Sequence, residues 1–396
     1  MARHPVDAQM NRQTEMHALT KRALAHFRHG TTDQAESTMS MPVAAYADPE
    51  RYQREVNRLF LHLPLALGLS IEIPTAGNYR AMQVLEVPVL LIRGADGKAR
   101  AFLNTCRHRG ARLCEPGAGS ARVITCPYHA WAYNDRGALV TRYAAETFGI
   151  VDHAQLGLVE LECAERAGLI WVQLTRGEFF DIDDWLGDFA AELESLQLGE
   201  WSLYEQRELP GPGWKVALDG YLEAYHHNSL HGKTVGQHTV GNLLVLDTYG
   251  PHQRLTFGRR SLGELVDVPE ENWDNARHIR LIHNCFPNLS ISGILGDHCL
   301  VSQVFPGPTP DVTTTRQTVL VHTLPTTPEA RAASDTFSAM VLQAVRDEDY
   351  PVGLAIQSGI RAGANQAFIF GRNEPAVQNY HRTVARLMDN ENIEAR

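Results

Sequence analysis

Two cysteine–histidine pairs carry the chemistry that is easiest to read from this sequence. The first is Cys106-x-His108 in NTCRHRGARL, and the second is Cys126-x2-His129 in ITCPYHAWAY, with 17 residues between them. Gly110 follows the first pair and Pro127 sits inside the second, so each pair falls where a β-hairpin would turn. Two loop tips that each present one thiolate and one imidazole can hold two metals side by side. Thiolates suit ferric iron, and imidazoles on the other iron leave that end less negative; this is the ligand set of a [2Fe–2S] centre of raised potential. Two Cys and two His also satisfy one tetrahedral zinc, but zinc fingers ordinarily pair Cys with Cys and His with His. The flanking Arg109-Gly110, Pro127-Tyr128 and Trp131 set coincidence aside.

A second group lies in GWKVALDGYLEAYHHNSLHG, where the spacing is Glu223-x2-His226-x4-His231. Glu223 and His226 would share a helix face at i, i+3. His226 and His231 are about 140° apart around an ideal helix, so they meet at one metal only where the helix bends or ends between them. A π-bulge is one such device, and Asn228, Ser229 and Gly232 favour irregularity there. Two histidines and a carboxylate on one side of a metal, with positions left open, are the ligands of non-haem Fe(II) oxygenases. His227 competes with His226 for that place, but the spacing and the preceding Tyr225 favour His226. His238 reads as a loop histidine.

CxHRGxxL followed by CPYHxWxY resembles the Rieske domain of the ring-hydroxylating oxygenases, and the similarity runs on through GLIWVQL. One departure is Ala130, where the family usually has Gly. The Trp214-Lys215 pair followed by (D/E)xYHxxxxH is similar to the family's mononuclear-iron signature. The resemblance implies a [2Fe–2S] Rieske cluster on Cys106, His108, Cys126 and His129. It also implies a mononuclear Fe(II) on His226, His231 and a carboxylate from a Glu-Asp pair that precedes Q-x-G-L. Here Glu348-Asp349 precede Gln357-Ser358-Gly359-Ile360, which points to Asp349, with Asp347 in reserve.

The same resemblance makes Glu223 a catalytic bridge between His226 and His129 of the next chain in a homotrimer. Many members have Asp there; a Glu occurs in some, including carnitine-type monooxygenases. Asp219, where naphthalene-type dioxygenases have Asn, is a second catalytic candidate, and Tyr225 would orient a ligand from behind. Substrate-facing positions by resemblance are Gly220, Tyr221, Ala224, His227 and Val235. O2 is the implied co-substrate. The implied reaction is mono- or cis-dihydroxylation of a small aromatic or alicyclic compound with one polar substituent. The alternative is oxidation or demethylation of a quaternary ammonium compound. A reading from another class, an electron-transfer Rieske protein without oxygenase activity, has the intact second motif against it. No Rossmann fingerprint or flavin motif is evident, so NAD(P)H electrons would arrive through a partner reductase, with or without a ferredoxin. A small β subunit is a further optional partner in this family.

These residues need elements to position them. Residues from about 8 to 27 have Met10, Met16, Leu19 and Leu24 at helical spacing. Asp48-Pro49 opens a short helix. Between Leu63 and Leu174, short β-rich runs such as YRAMQVLEVPVLLIRG, ARAFLN, ARVITC and GLIWVQL alternate with turns such as Asp96-Gly97. DIDDWLGDFAAELESLQL (181–198) reads as one helix with an acidic first turn. Beyond about 200, long helices mix with strands such as NLLVLDTYG, HCLVSQVF and RQTVLVHTL. The expected class is α+β: a small antiparallel β Rieske domain plus a helix-grip-like α/β catalytic domain with a central antiparallel sheet. The expected division is an N-terminal helical segment 1–42 packing on the catalytic domain, a Rieske domain 43–176 and a catalytic domain 177–396.

Bulk properties agree with this class. The 396 residues carry 36 basic and 46 acidic groups, a formal charge of −10, which argues against nucleic acid or an anionic membrane as partner. The most apolar stretches, Leu59–Ile73 and Val84–Ile92, are broken or short, so no membrane span is expected. The N-terminus has no apolar signal core, and six cysteines make no disulfide framework, so a cytoplasmic location with reduced thiols is expected. Cys114, Cys163, Cys285 and Cys299 read as ordinary buried thiols.

Overall fold

The computed structural model describes residues 5–389. They fall into two compact units, and every sheet is antiparallel. One unit comprises Asn57–Trp185 and Gln197–Gly199; the other comprises the chain up to Val56, Leu186–Leu196 and Glu200 onward. These limits differ from the boundaries drawn at 42/43 and 176/177. The reason is long-range pairing. Tyr46 and Glu55 bond Asp219 and Lys215 and so carry residues 43–56 into the larger unit; just before them the strand Met39–Pro42 pairs with Ala367–Phe370, Met41 opposite Phe368, partners that no local pattern announces.

The smaller unit is built from strands too short to bury much alone, so it stacks three sheets. Five strands run in the order Glu160–Leu161, Ala99–Leu103, Val87–Arg93, Asn78–Val84, Gly117–Ser120. Three more (Cys163–Arg166, Leu169–Val172, Leu65–Leu69) make a second sheet. The hairpins Val123–Thr125, Ala132–Asn134 and Leu139–Thr141 make a third. Its core gathers Leu90, Ile92, Phe102, Ile124, Trp131 and Tyr133 around the Cys106 and Cys126 thiols. The expected single helix over 181–198 is instead two, Ile182–Leu186 and Phe189–Glu194. Gly187 adopts a left-handed φ of +51° between them, a conformation that ends a helix.

The larger unit centres on a seven-stranded sheet. The strands Thr239–Tyr249, His252–Arg259, Ile279–Cys285, Leu289–Ser292, His298–Pro306 and Thr313–Val321 follow one another as a meander, and Ser202–Gly211 closes the far edge. The helix Pro5–His29 lies against the first two of these strands. It buries Met16, Leu19 and Leu24; the side chain of Met10 lies outside the described residues. On that face of the sheet, Glu192 accepts from Arg254 at 2.7 Å and sits 2.6 Å from His283.

The opposite face meets the elements that matter for chemistry. The helix Trp214–Tyr221 is followed by a short helix, His227–Leu230. A long rod runs Pro328–Leu342, Gln343–Asp349, Tyr350–Ala362, and its middle section is π-helical. Pro351 explains that section: in an α-helix its ring would collide with the carbonyl of Asp347, and the wider π turn relieves the clash.

Helix Trp214–Tyr221 is tied down from beneath. Lys215, 4% exposed, pairs with Glu55, 0% exposed, and donates to the Ala45 carbonyl. Arg51 also donates to Glu55, at 2.8 Å. Asp48 caps the Pro49–Glu55 helix through its carboxylate, as expected. Burial lowers the Lys215 pKa, and Glu55 opposes that effect. Removing one member strands the other charge in the interior. Lys215→Ala is expected to cost about 3–5 kcal/mol, read as a fall in the denaturant midpoint, with the Glu55→Ala, Lys215→Ala double variant recovering part of it.

Candidate iron centres

In the smaller unit, two loops of the same construction present the cysteine–histidine pairs. In the first, the Cys106 amide donates to Ala111 O at 2.8 Å, and the Gly110 amide to Cys106 O at 2.9 Å. In the second, the Cys126 amide donates to Trp131 O at 2.7 Å, and the Ala130 amide to Cys126 O at 3.1 Å. Each loop thereby closes on its own cysteine and holds the histidine beside it. The fifth residue of both loops is left-handed, φ +76° at Gly110 and +53° at Ala130. Glycine adopts this at no steric cost, whereas alanine sets its Cβ against the following carbonyl. The substitution at Ala130 is therefore a local strain rather than a neutral change.

The imidazoles of His108 and His129 lie with ring centres 4.7 Å apart. The Cys106 and Cys126 thiols are side by side in the core. Burial raises the Cys106 pKa, so a thiolate there needs a cation to hold it. His108 stacks on Trp131 and its Nδ1 is buried with no hydrogen-bond partner, an orphaned donor atom of the kind a metal satisfies. The Tyr133 hydroxyl accepts from the Arg107 amide at 3.0 Å and stands 3.3 Å from Cys106 Sγ. Cys114, Cys285 and Cys299 are buried and Cys163 is partly exposed; all are free thiols.

In the larger unit, three donor atoms converge. His226 Nε2 lies 3.0 Å from His231 Nε2, and Asp349 Oδ1 lies 3.0 Å from His231 Nε2 and 3.7 Å from His226 Nε2. Atoms on one face of an octahedron with bonds of about 2.1 Å sit about 3 Å apart. The histidines meet because the helix stops at Tyr221 and a new one starts at His227, not through a π-bulge between them. The π turn is present on the opposite wall and ends on Asp349. Glu223 is thus not on a shared helix face with His226. It sits in the break, accepting from the amides of Tyr225 and His226 and facing His226 Nδ1.

His231 is held in the same manner by a residue that sequence reasoning passed over. Glu348 Oε2 stands 2.6 Å from His231 Nδ1 and accepts from Thr234 Oγ1 at 2.6 Å. With each Nδ1 turned to a carboxylate, both Nε2 lone pairs face the common point. Two lone pairs 3.0 Å apart beside a carboxylate repel one another unless a cation lies between. Burial alone would depress His231, but Asp349 and Glu348 raise its pKa, evidence of a site that favours positive charge. The residues fit a divalent iron.

The other expected site residues fall elsewhere. Asp347 is exposed and pairs with Arg346 at 2.6 Å, away from the triad. His227 packs its ring on Phe257 and contributes no donor atom to the triad. Burial, then the neighbouring His226 and His231, push it down to about 3, so it stays neutral. Asp219 accepts from the Tyr46 hydroxyl at 2.5 Å and lies 2.8 Å from His381 Nε2. Neither partner carries a sequence signal, since both come from distant segments. Asp219, Gly220, Glu223, His226, Asp349 and Glu374 line a cavity of about 400 Å³, together with the rings of Tyr46, Tyr350, Phe368 and Phe370. Ala224 is buried and its carbonyl accepts from the Asn242 amide. Val235 is partly buried on a short 3₁₀ turn, and Tyr225 is exposed. The Tyr221 hydroxyl is buried beside Ser302, Gln317 and Tyr350.

Comparisons with known proteins agree with both centres. Residues 64–152 match the family model for the Rieske [2Fe-2S] domain, and residues 198–390 match that for the ring hydroxylating alpha subunit (catalytic domain). The glycine betaine monooxygenase oxygenase subunit of Chromohalobacter salexigens is 32% identical over 219 residues, 52% of this chain and 47% of that protein. The benzene 1,2-dioxygenase subunit alpha of Pseudomonas putida is 36% identical over 236 residues, 57% of this chain and 52% of that protein. The chain spans about half the length of the curated relatives it matches. The crystal structure of the quaternary ammonium Rieske monooxygenase CntA in complex with L-carnitine is similar, with a TM-score of 0.75 at 20% identity over 88% of this chain and 95% of that one. At that identity the likeness is one of fold.

Two outcomes follow from this geometry. Ala130→Gly relieves the left-handed strain and is expected to raise stability by about 1 kcal/mol, measured as a higher unfolding midpoint followed by visible absorbance. Glu348→Ala frees the His231 ring, and iron affinity at the histidine site is expected to fall about 10- to 100-fold. Asp347→Ala should leave that affinity unchanged, by metal titration of protein whose cluster is intact.

Proposed function

As the chain belongs to the Rieske-type ring-hydroxylating oxygenase alpha-subunit family, we infer that it is the terminal oxygenase of a multi-component system, using O2 and electrons from an NAD(P)H-dependent reductase to hydroxylate a small organic molecule. The observation that carries this reading is the convergence of His226, His231 and Asp349 in a chain that also carries the four cluster donors. A protein that only carried electrons would have no use for the second set.

When bound, the cluster supplies single electrons, and the mononuclear iron supplies a place for O2 to be reduced. The chain's own residues do the rest. Glu223 and Glu348 hold the two imidazoles with Nε2 forward, and Asp349 offers the third donor on the same side. Glu223 also lines the cavity, and in this reading it faces His129 of a second copy of the chain. That makes it the candidate link between a cluster histidine and His226. Asp219, Tyr46 and His381 form a hydrogen-bonded group on the same wall that can hold or pass a proton.

The first reading of the substrate is a small aromatic or alicyclic compound with one polar substituent, taken to a mono- or cis-dihydroxylated product. A second reading, a quaternary ammonium compound, is favoured by one specific feature. The cavity sets the carboxylates of Asp219, Glu223 and Glu374 beside four aromatic rings, and aromatic faces with acidic neighbours attract such cations. The relatives include both types. A homotrimer, with or without a small β subunit, is the proposed assembly, and the cytoplasm the proposed location; among the described residues no helix is long and apolar enough to cross a membrane.

Iron analysis should find about three irons per chain, against about two for a cluster alone. Glu223→Gln is expected to keep all of them yet lose most turnover with a surrogate reductase. Product formation near the unsubstituted level, measured by mass spectrometry after incubation with 18O2, would remove Glu223 from the electron route.

A further inference from the structure

The two carboxylates that hold the iron-site imidazoles are themselves held differently. Besides facing His226 Nδ1, Glu223 accepts from the amides of Tyr225 and His226, both within its own turn, and it lines the cavity. Glu348 is not among the residues that line the cavity, and side chains from two other places close on it. Its Oε2 faces His231 Nδ1 at 2.6 Å and accepts from Thr234 Oγ1 at 2.6 Å, and its Oε1 accepts from Gln343 Nε2 at 3.3 Å. A carboxylate only accepts, so the Thr234 hydroxyl and the Gln343 amide group must both donate to it.

Irregular backbone places each donor. Gln343 and Glu348 are five residues apart, which on an α-helix would set them about 140° apart. In the π turn Gln343–Asp349, whose bonds run from i to i+5, they fall on one side. Thr234 is buried, and its amide and that of Gly236 donate to the His231 carbonyl at 3.1 and 3.0 Å. A Cβ at Gly236 would come 2.5 Å from the His227 carbonyl, so this loop packs against the end of the histidine helix with no room to shift. Arg260 fastens its other side, donating to Gly236 O at 3.0 Å. Thr234 is thus fixed to the backbone that bears His231 and points back at that histidine's carboxylate partner.

We propose that Thr234 and Gln343 are positioning residues for the iron: through Glu348 they lock the His231 ring with Nε2 forward, so that His231 is the fixed arm of the ligand set and adjustment is left to the His226–Glu223 arm. This rests on the oxygenase reading above, in which the triad holds iron. Neither Thr234 nor Gln343 lines the cavity, so their effect reaches the metal only through Glu348. A histidine whose far nitrogen loses its oriented partner is free to rotate, and metal affinity falls. A carboxylate released on one side by loss of the Thr234 hydroxyl is no longer an oriented partner.

The test uses the full chain with its cluster intact and the triad emptied, titrated anaerobically with Fe(II). Solvent exchange of the His231 Nδ1 proton is followed by NMR in the Zn(II)-loaded protein. Thr234→Val should weaken Fe(II) binding about tenfold and speed that exchange at least about tenfold. Gln343→Leu removes the longer bond and should weaken Fe(II) about threefold. Thr234→Ser keeps the hydroxyl and should stay within about twofold of the unsubstituted protein. A merely structural role is separated by a double-mutant cycle: once Glu348 is replaced by Ala, Thr234→Val should cost no further affinity. Unchanged affinity and exchange in Thr234→Val, failure of serine to rescue, or an undiminished loss in the Glu348→Ala background would each overturn the proposal. Cluster absorbance and the unfolding midpoint are read on the same samples, and if Thr234→Val does not fold the same cycle is run with Gln343→Leu. Uptake of Zn(II) but not Fe(II) by the unsubstituted protein, with the Thr234 response intact, would overturn the oxygenase reading and leave the clamp standing.

Discussion

Two imidazole lone pairs held 3.0 Å apart beside a carboxylate are the costly arrangement around which the larger unit is organised. Left to themselves, His226 and His231 would turn away. They are kept in place by Glu223 and Glu348, each of which takes the far ring nitrogen of one histidine. The result is a concentration of negative charge and forward-facing lone pairs that only a cation relieves. Metal binding and the ordering of this region are therefore one free energy, not two.

The surrounding fold supplies rigidity from three directions. The Lys215–Glu55 pair anchors the helix that leads into the site. The π turn, forced by Pro351, ends on Asp349 with Glu348 beside it. The seven-stranded sheet stands behind both. Local irregularity and function coincide here because a regular helix cannot aim donors at i and i+5 to the same point, nor aim two neighbouring carboxylates at different tasks.

The smaller unit solves its problem by repetition. Two loops close by the same pair of backbone hydrogen bonds, and each needs a left-handed residue to do so. One has glycine; the other carries alanine at a steric disadvantage that the packing around Trp131 and Tyr133 must offset. Cys106 sits in a core that disfavours a free thiolate.

Much of this was legible before any coordinates. The cluster donors, His226, His231 and the α+β class with its antiparallel sheets follow from residue types at close spacing, because ligands borne on one loop or one helix end are neighbours in sequence as well as in space. Asp349 was legible only as one of several adjacent acids; the π turn separates it from Glu348 and Asp347, and that turn is a response to Pro351 that composition does not display. That Glu348 would hold His231, and that Tyr46 and His381 would hold Asp219, was not legible at all. Their roles depend on strand register and on contacts between segments far apart in the chain, such as Met39–Pro42 against Ala367–Phe370. The sequence by itself determined which metals this chain can hold; which side chains aim the ligands was decided by tertiary packing, since orientation is set by neighbours that only folding brings together.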